Sequence, residues 1–398
     1  MKSIVIIGSG MAGYTVAREF RKLDKSMPLL IITGDDGGFY AKPMLSNAFA
    51  QNKTAAQLVT QTAAQIAEQL NARILPFTSA SRINSDSKTI VTSAGHFDYE
   101  KLVIAVGAQP IRLPIAGNAA SQVISVNNVT DYTKLRESMT AIGEKTRITI
   151  LGAGLIGCEF ADDLSGAGHD VTVIDPSPLP LAALAPRPIS EALQSALEAR
   201  GVNFKLGTTA ASIDQQLDNT NSLKICLATG EIIAADIVIS AVGLRADLRL
   251  AQASQLETER GILVDTSGQT SAKDIYALGD CAQYTNPEDG SRPVLPYIAP
   301  IMAAARAIAR SLTGDVTQID LKPAPVIIKT PSYPIALVAP SPQIAAIGRW
   351  EHEKQGDTNI SRFYDALNVM KGFAVAPQES KIRAALLAEL ITRSAEVN

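Results

Sequence analysis

The 398-residue sequence predicts an α/β protein with two doubly wound dinucleotide-binding domains and a small mixed α/β C-terminal domain. Three observations carry that expectation. The pattern G-x-G-x-x-G occurs twice, at Gly8–Gly13 and Gly152–Gly157, each time directly after a β-branched run and before a helical stretch. An acid follows each pattern, Asp35 and Asp175, near the offset of about 20 residues typical of a ribose-binding carboxylate. From Lys322 onward proline becomes frequent and short strand-like runs alternate.

Taken in order, Ser3 to Ile7 is apolar and β-branched, as a strand buried on both faces requires. Gly8, Ser9, Gly10, Met11, Ala12 and Gly13 make the first turn, and Val16, Phe20 and Leu23 then recur at helical spacing over Ala12 to Leu23. A second strand, Leu29 to Ile32, ends at Thr33, Gly34, Asp35 and Asp36. The same unit returns as a strand at Arg147 to Leu151, the second glycine turn, a helix over Cys158 to Ser165, and a strand at Asp170 to Ile174. A strand ending in Val-Gly follows each half, at Gly107 and at Gly243. Another strand, Ile275 to Leu278, ends in Gly279 and Asp280. A helix then spans Ala299 to Leu312, with Pro300 at its start, where a missing N–H costs little. Pro325 to Lys329 and Ile335 to Val338 read as strands, and Glu379 to Thr392 as a closing helix. The expected domains are residues 1–112 and 245–320 for a first dinucleotide, 113–244 for a second, and 321–398 as the C-terminal domain.

Composition narrows the function classes. Hydrophobic residues make up 46% and charged residues 19%, which suits large buried cores. A net charge of -3 argues against non-specific attraction to nucleic acid. No run of about 18 apolar residues predicts a membrane span. The N-terminal apolar run is too short for a signal-peptide core, so the expected compartment is the cytoplasm. Cys158, Cys226 and Cys281 lie far apart, and His96, His169 and His352 form no metal or triad pattern; no metal is expected.

Each motif has a physical reading. In each glycine turn the first glycine makes the bend, the second admits a pyrophosphate, and the third allows close packing of helix on strand. The helix N-terminus adds free N–H groups and partial positive charge. That assigns Gly8, Gly10 and Gly13 to one nucleotide and Gly152, Gly154 and Gly157 to the other. Asp35, or its neighbour Asp36, would hold the first adenosine ribose. Asp175 would hold the second and repel a 2′-phosphate, favouring NADH over NADPH; its plain alternative is a turn acid before Pro176.

Thr270 and the run Tyr276-Ala277-Leu278-Gly279-Asp280 resemble the second FAD signature of the two-dinucleotide-domain flavoprotein reductases, whose Rossmann-like fold is that of glutathione reductase. The resemblance implies FAD as the first cofactor, with Asp280 on a ribityl hydroxyl. The helix after Pro300 would aim its positive end at the flavin. Disulfide reductases of this superfamily carry redox cysteines, and the single-cysteine relatives place theirs early; the early segment Ala41-Lys42-Pro43-Met44-Leu45-Ser46 has none. Cys158 and Cys281 read as buried packing residues. Electrons must then leave from the flavin itself, which can accept a hydride and release single electrons. With no Cys-x-x-Cys pair in the chain, an iron site would belong to a separate partner.

Residues 40–46, 151–161 and 326–331 narrow the likeness: they resemble the corresponding segments of the bacterial rubredoxin reductases. That resemblance implies Lys42 and Lys329 against the isoalloxazine and Glu159 facing it, with a Lys42–Glu159 pair when NADH is absent. It also implies a backbone contact from Ala80 to adenine and Ile298 in the flavin pocket. The residue-level alternative for these side chains is an exposed loop or helix surface. Relatives often carry Glu at position 35, which leaves the choice between Asp35 and Asp36 open. The implied partner is rubredoxin, a separate acidic chain, feeding systems such as alkane hydroxylation, with the reductase a monomer or dimer. Arg306 and Arg310, four apart on one helix, are docking candidates or simply a solvated face. The alternatives are a [2Fe–2S] ferredoxin reductase and a non-catalytic NADH-sensing flavoprotein.

Overall fold

The computed structural model describes residues 2–143, 145–216, 222–286 and 290–395. Its contacts divide the chain into two compact units. The first comprises Met1–Lys42, Ala56–Pro110 and Leu244–Lys322; the second comprises Pro43–Ala55, Ile111–Gly243 and Pro323–Asn398.

In the first unit, β1 (Ser3–Ile7), β2 (Leu29–Ile32), β3 (Arg73–Leu75), β4 (Ala80–Asn84), β5 (Thr89–Thr92) and β6 (Gly95–Ile104) form one sheet in the order β3-β2-β1-β6-β5-β4. The strands β1, β2 and β3 run parallel, and the second half of β6 joins them in parallel beside β1. Strand Ile275–Ala277 adds in parallel to β6, while β4 and β5 fold back antiparallel. All of β2 is buried and so is β1 after Ser3, which is why these strands read as continuous apolar runs and not as alternation. Helix Met11–Leu23 buries Val16, Ala17 and Phe20 on one face and packs on helix Ile298–Leu312. Full burial of one such large apolar side chain is worth about 1.5–3 kcal/mol. The core draws on all three segments: Ile6, Val103, Ile275 and Ile308 belong to one continuous cluster.

The second unit holds a four-stranded parallel sheet in the order Asn203–Leu206, Asp170–Asp175, Arg147–Leu151, Ile237–Ser240. An antiparallel layer of Ala210–Gln215, Leu223–Leu227 and Ile232–Ala235 closes a core around Ile213, Ile225 and Val238. Its C-terminal part is a five-stranded antiparallel sheet, Val326–Ile328, Ile335–Val338, Met370–Ala376, Thr358–Tyr364 and Arg349–Gln355 in spatial order. Helix Ser380–Ala395 lays Leu386 and Leu390 over Phe373 and Val375.

Two departures from the sequence reading have clear causes. The second glycine-turn helix spans Leu155–Gly166, so it begins three residues before the expected Cys158. The helix starts directly after its N-cap Gly154, and Gly157 inside it packs against the turn so closely that a Cβ there would stand 1.9 Å from the Gly152 carbonyl oxygen. The sequence reading names no strand between Arg349 and Ala376, where the structure has three; one face of Arg349–Gln355 is polar throughout, which hides its alternation.

Candidate active site

The first glycine turn is built by close approach. Gly8 has φ +116°, and a Cβ on it would lie 2.2 Å from the Ala105 carbonyl oxygen. A Cβ on Gly13 would lie 2.0 Å from the Gly8 oxygen, whereas one on Gly10 would meet nothing within 4 Å. The first and third glycines are therefore packing requirements, and the second faces open space at the uncapped start of helix Met11–Leu23. Ser9 and Thr33 donate to Asp35 Oδ1 at 2.8 and 2.6 Å, and the Gly37 N–H donates to the same oxygen at 3.0 Å. Asp36 instead accepts from the Gly38 N–H within its own loop. Of the two acids, Asp35 is the one tied to the glycine turn. Gly34 lies beside Ser79, with 3.6 Å between its ideal Cβ position and the Ser79 Oγ, and Ala80 opens β4.

Gly279 joins this turn to a second helix. With φ +78°, its ideal Cβ position lies 2.9 Å from the Ala12 Cβ and 3.9 Å from the Ile301 Cγ1. The first turns of helices Met11–Leu23 and Ile298–Leu312 thus meet at Gly279, and neither has a side-chain cap. Asp280, partly buried, follows at once, and its carboxylate makes no hydrogen bond among the described residues. Gly107, at φ +72°, lies past the end of β6 on the same rim. Ile298, first in its helix, is 50% exposed. Two uncapped helix N-termini and one unpartnered carboxylate suit a ligand carrying phosphates and hydroxyls together, and FAD is such a molecule.

The second turn repeats the design. Gly152 has φ +103° and an ideal Cβ position 2.8 Å from the Ala241 oxygen; Gly154, like Gly10, faces open space. Gly243 has φ +104°. Asp175 accepts from the Ala153 N–H at 2.6 Å and from the Ser177 N–H at 2.7 Å. Both of its oxygens therefore brace the turn, as a turn acid does.

Helix Leu155–Gly166 buries three carboxylates that the apolar residues around them cannot satisfy. Such ions cost several kcal/mol each unless donors meet them. Glu159, fully buried, accepts from Ser46 Oγ at 2.5 Å, the Lys329 N–H at 2.9 Å and Lys329 Nζ at 3.0 Å. Lys329 Nζ also donates to the Pro43 carbonyl. Asp162 accepts from the Ser332 N–H and Oγ and pairs with Arg200 at 3.1 Å. Asp163 accepts from the Phe49 and Ala50 N–H groups, and burial pushes its carboxyl above the usual range. The sequence singled out Glu159 and Lys329 but missed Ser46, Asp162, Asp163 and Ser332; acids at i, i+3 and i+4 among Phe160, Ala161 and Leu164 were the available signal. The ion pair found here for Glu159 is with Lys329. Lys42 opens the short 3-10 turn Lys42–Met44.

The cysteines sit as packing residues. Cys158 donates to the Ala153 carbonyl and Cys281 to the Leu278 carbonyl, both at 3.3 Å. Burial raises both thiols, that of Cys281 to about 12, so neither offers a ready thiolate. Arg306 and Arg310 are exposed on one face of helix Ile298–Leu312. Among the described residues no helix is long and apolar enough to cross a membrane, and no His, Cys, Asp and Glu cluster suits a metal.

Comparison with known proteins agrees with this architecture. The model of the pyridine nucleotide-disulphide oxidoreductase family matches residues 2–323, and that of a rubredoxin-binding C-terminal domain matches residues 318–390. The rubredoxin-NAD(+) reductase of Acinetobacter baylyi is 42% identical over 379 residues, 94% of each chain. That of Alcanivorax borkumensis is 41% identical over 390 residues, 98% of this chain and 99% of the relative. The reductase in the covalent putidaredoxin reductase–putidaredoxin complex shares the fold, with a TM-score of 0.88 at 23% identity over 98% of this chain and 93% of that one. The chain belongs to the pyridine nucleotide-disulphide oxidoreductase family, alongside the rubredoxin-NAD(+) reductases.

Proposed function

We propose that this protein is an FAD flavoprotein that oxidises NADH and passes single electrons to rubredoxin. The observation that carries the reading is a pair of dinucleotide cradles in a chain whose C-terminal segment matches a rubredoxin-binding domain. The inert setting of Cys158 and Cys281 supports electron exit from the flavin, not through a thiol. FAD supplies the chemistry that links a two-electron donor to a one-electron acceptor.

The chain's own residues bind and orient. Residues 1–112 and 245–320 would hold FAD, 113–244 NADH, and 321–398 would meet rubredoxin. Gly10 and the N–H groups after it receive the FAD pyrophosphate, Asp35 the adenosine ribose, Asp280 a ribityl hydroxyl, and Ala80 the adenine through its backbone. The start of helix Ile298–Leu312, with Ile298, sets positive potential against the flavin. Gly154 and Asp175 take the corresponding parts of NADH, and the Asp175 charge disfavours a 2′-phosphate. Lys42 and Lys329 supply positive charge beside the isoalloxazine, with Glu159 holding the Lys329 ammonium. Three unpaired thiols support a reducing compartment such as the cytoplasm.

Anaerobic reduction by NADH, followed by mixing with rubredoxin and separately with a [2Fe–2S] ferredoxin, tests the reading. Fast reoxidation by rubredoxin is expected. Preference for the ferredoxin would reassign the acceptor, and failure of both at catalytic rates would remove the electron-transfer role.

A further inference from the structure

After β3 the chain turns through Pro76, Phe77 and Thr78 before β4 begins at Ala80. The turn is fastened to the end of β2. The Thr33 N–H donates to the Leu75 carbonyl at 3.1 Å, the Thr78 N–H to the Thr33 carbonyl at 2.7 Å, and the Phe77 N–H to the Asp35 carbonyl at 2.8 Å. Phe77 itself has φ +51° and is 74% exposed. Both features are unfavourable. A left-handed backbone suits glycine or asparagine and penalises a bulky side chain, and a phenylalanine in water has no partner for its ring. Glycine at this position would remove both disadvantages at once. An outlier held by three backbone hydrogen bonds beside a binding rim calls for a functional account.

Sheet order supplies one. In β3-β2-β1-β6 the parallel strands β1, β2 and β3 end on one rim, where ligands of such sheets bind. Gly8 stands just past β1, Asp35 just past β2, and Phe77 just past β3. Strands lie about 4.8 Å apart. A nucleotide with its phosphates at β1 and its ribose at β2 therefore carries its base one strand further, toward β3. We propose that Phe77 stacks on the adenine ring of the FAD, a ring-on-ring clamp that accounts for both its strain and its exposure. This rests on the reading that the first unit binds FAD.

The test uses apoprotein prepared from the holoenzyme, with FAD binding followed by quenching of flavin fluorescence. Phe77→Ala should weaken FAD about tenfold, the size of one base–aromatic stack. Competition by ADP, which carries only the adenosine half, should weaken by a similar factor. Phe77→Tyr should restore binding to within about twofold, since the ring face is kept. Phe77→Gly should weaken FAD as Phe77→Ala does while raising the apoprotein melting temperature, because it relieves the left-handed backbone. A merely structural role would move affinity and stability in the same direction. Unchanged FAD affinity in Phe77→Ala overturns the proposal, and a raised KM for rubredoxin with intact FAD binding would reassign the ring to partner docking. A wild-type protein that binds no FAD would defeat the parent reading instead, a result distinct from either.

Discussion

Glu159 shows what one buried charge demands. It is fully buried, and among the described residues its donors are one hydroxyl, one backbone N–H and one ammonium. Lys329→Met takes away the only cation of that set and leaves the carboxylate uncompensated. A loss of about 3 kcal/mol is expected, at the low end for buried pairs because the Lys329 side chain is 34% exposed. Glu159→Gln in the same chain should recover part of it, because the stranded charge is gone. Urea unfolding of wild type, both single variants and the double variant gives the coupling; strictly additive losses would mean the pair is no pair. The sequence made Glu159 and Lys329 visible only through resemblance, because they stand 170 positions apart and no local pattern joins them. The glycines were visible directly, since a backbone packed within about 2 Å of an absent Cβ admits no other residue, whatever the family. That Asp35, and not Asp36, is tied to the glycine turn was not visible: both follow β2, and they are distinguished by the Ser9, Thr33 and Gly37 donors that meet Asp35.

At the scale of the element, helix Leu155–Gly166 is a clamp. Its acids hold the segment Ser46–Ala50 through Glu159 and Asp163, and the segment Lys329–Ser332 through Glu159 and Asp162. The recurrence of the strand–glycine-turn unit announced a helix here, but not that its acids face inward, because acids on a helix ordinarily mark the solvated side. Asp163 gives this arrangement a pH signature. Its folded pKa is raised, first by burial and against the pull of the Phe49 and Ala50 N–H groups. Between the unfolded and folded pKa the native state then binds more protons than the unfolded chain, so this group's contribution to stability falls as pH rises through that window. Asp163→Asn removes the titration. The stability gap between wild type and variant should be widest at the acid side of the window, near the usual carboxylate pKa, and narrow as pH rises through it. Chemical unfolding at a series of pH values reads this directly, and a constant gap would assign Asp163 no differential protonation.

For the whole molecule, the decisive feature is how the chain leaves the first unit and returns. Ala108–Pro110 pairs antiparallel with Leu244–Ala246, in a register that sets Pro110 opposite Leu244. The Asp247 N–H donates to the Gly107 carbonyl, and Gln109 Nε2 donates to the Asp247 carboxylate, which fixes the ribbon at its inner end. Arg249 holds that carboxylate below its ordinary pKa. Every buried member of the first core precedes Ala108 or follows Leu248, so none comes from the intervening 133 residues Ile111–Gly243. The exit and return points are opposite ends of one ladder rung, a few ångströms apart, the distance a two-residue turn spans. Replacing Ile111–Gly243 by Asn-Gly and ending the chain at Lys322 should therefore yield a folded module, with residues 43–55 carried as an open loop. The module should unfold cooperatively, bind FAD and remain yellow after gel filtration, yet NADH should fail to bleach it because the second cradle is gone. A colourless or aggregated product would show that the first core, although built from its own segments, depends on the second unit to close.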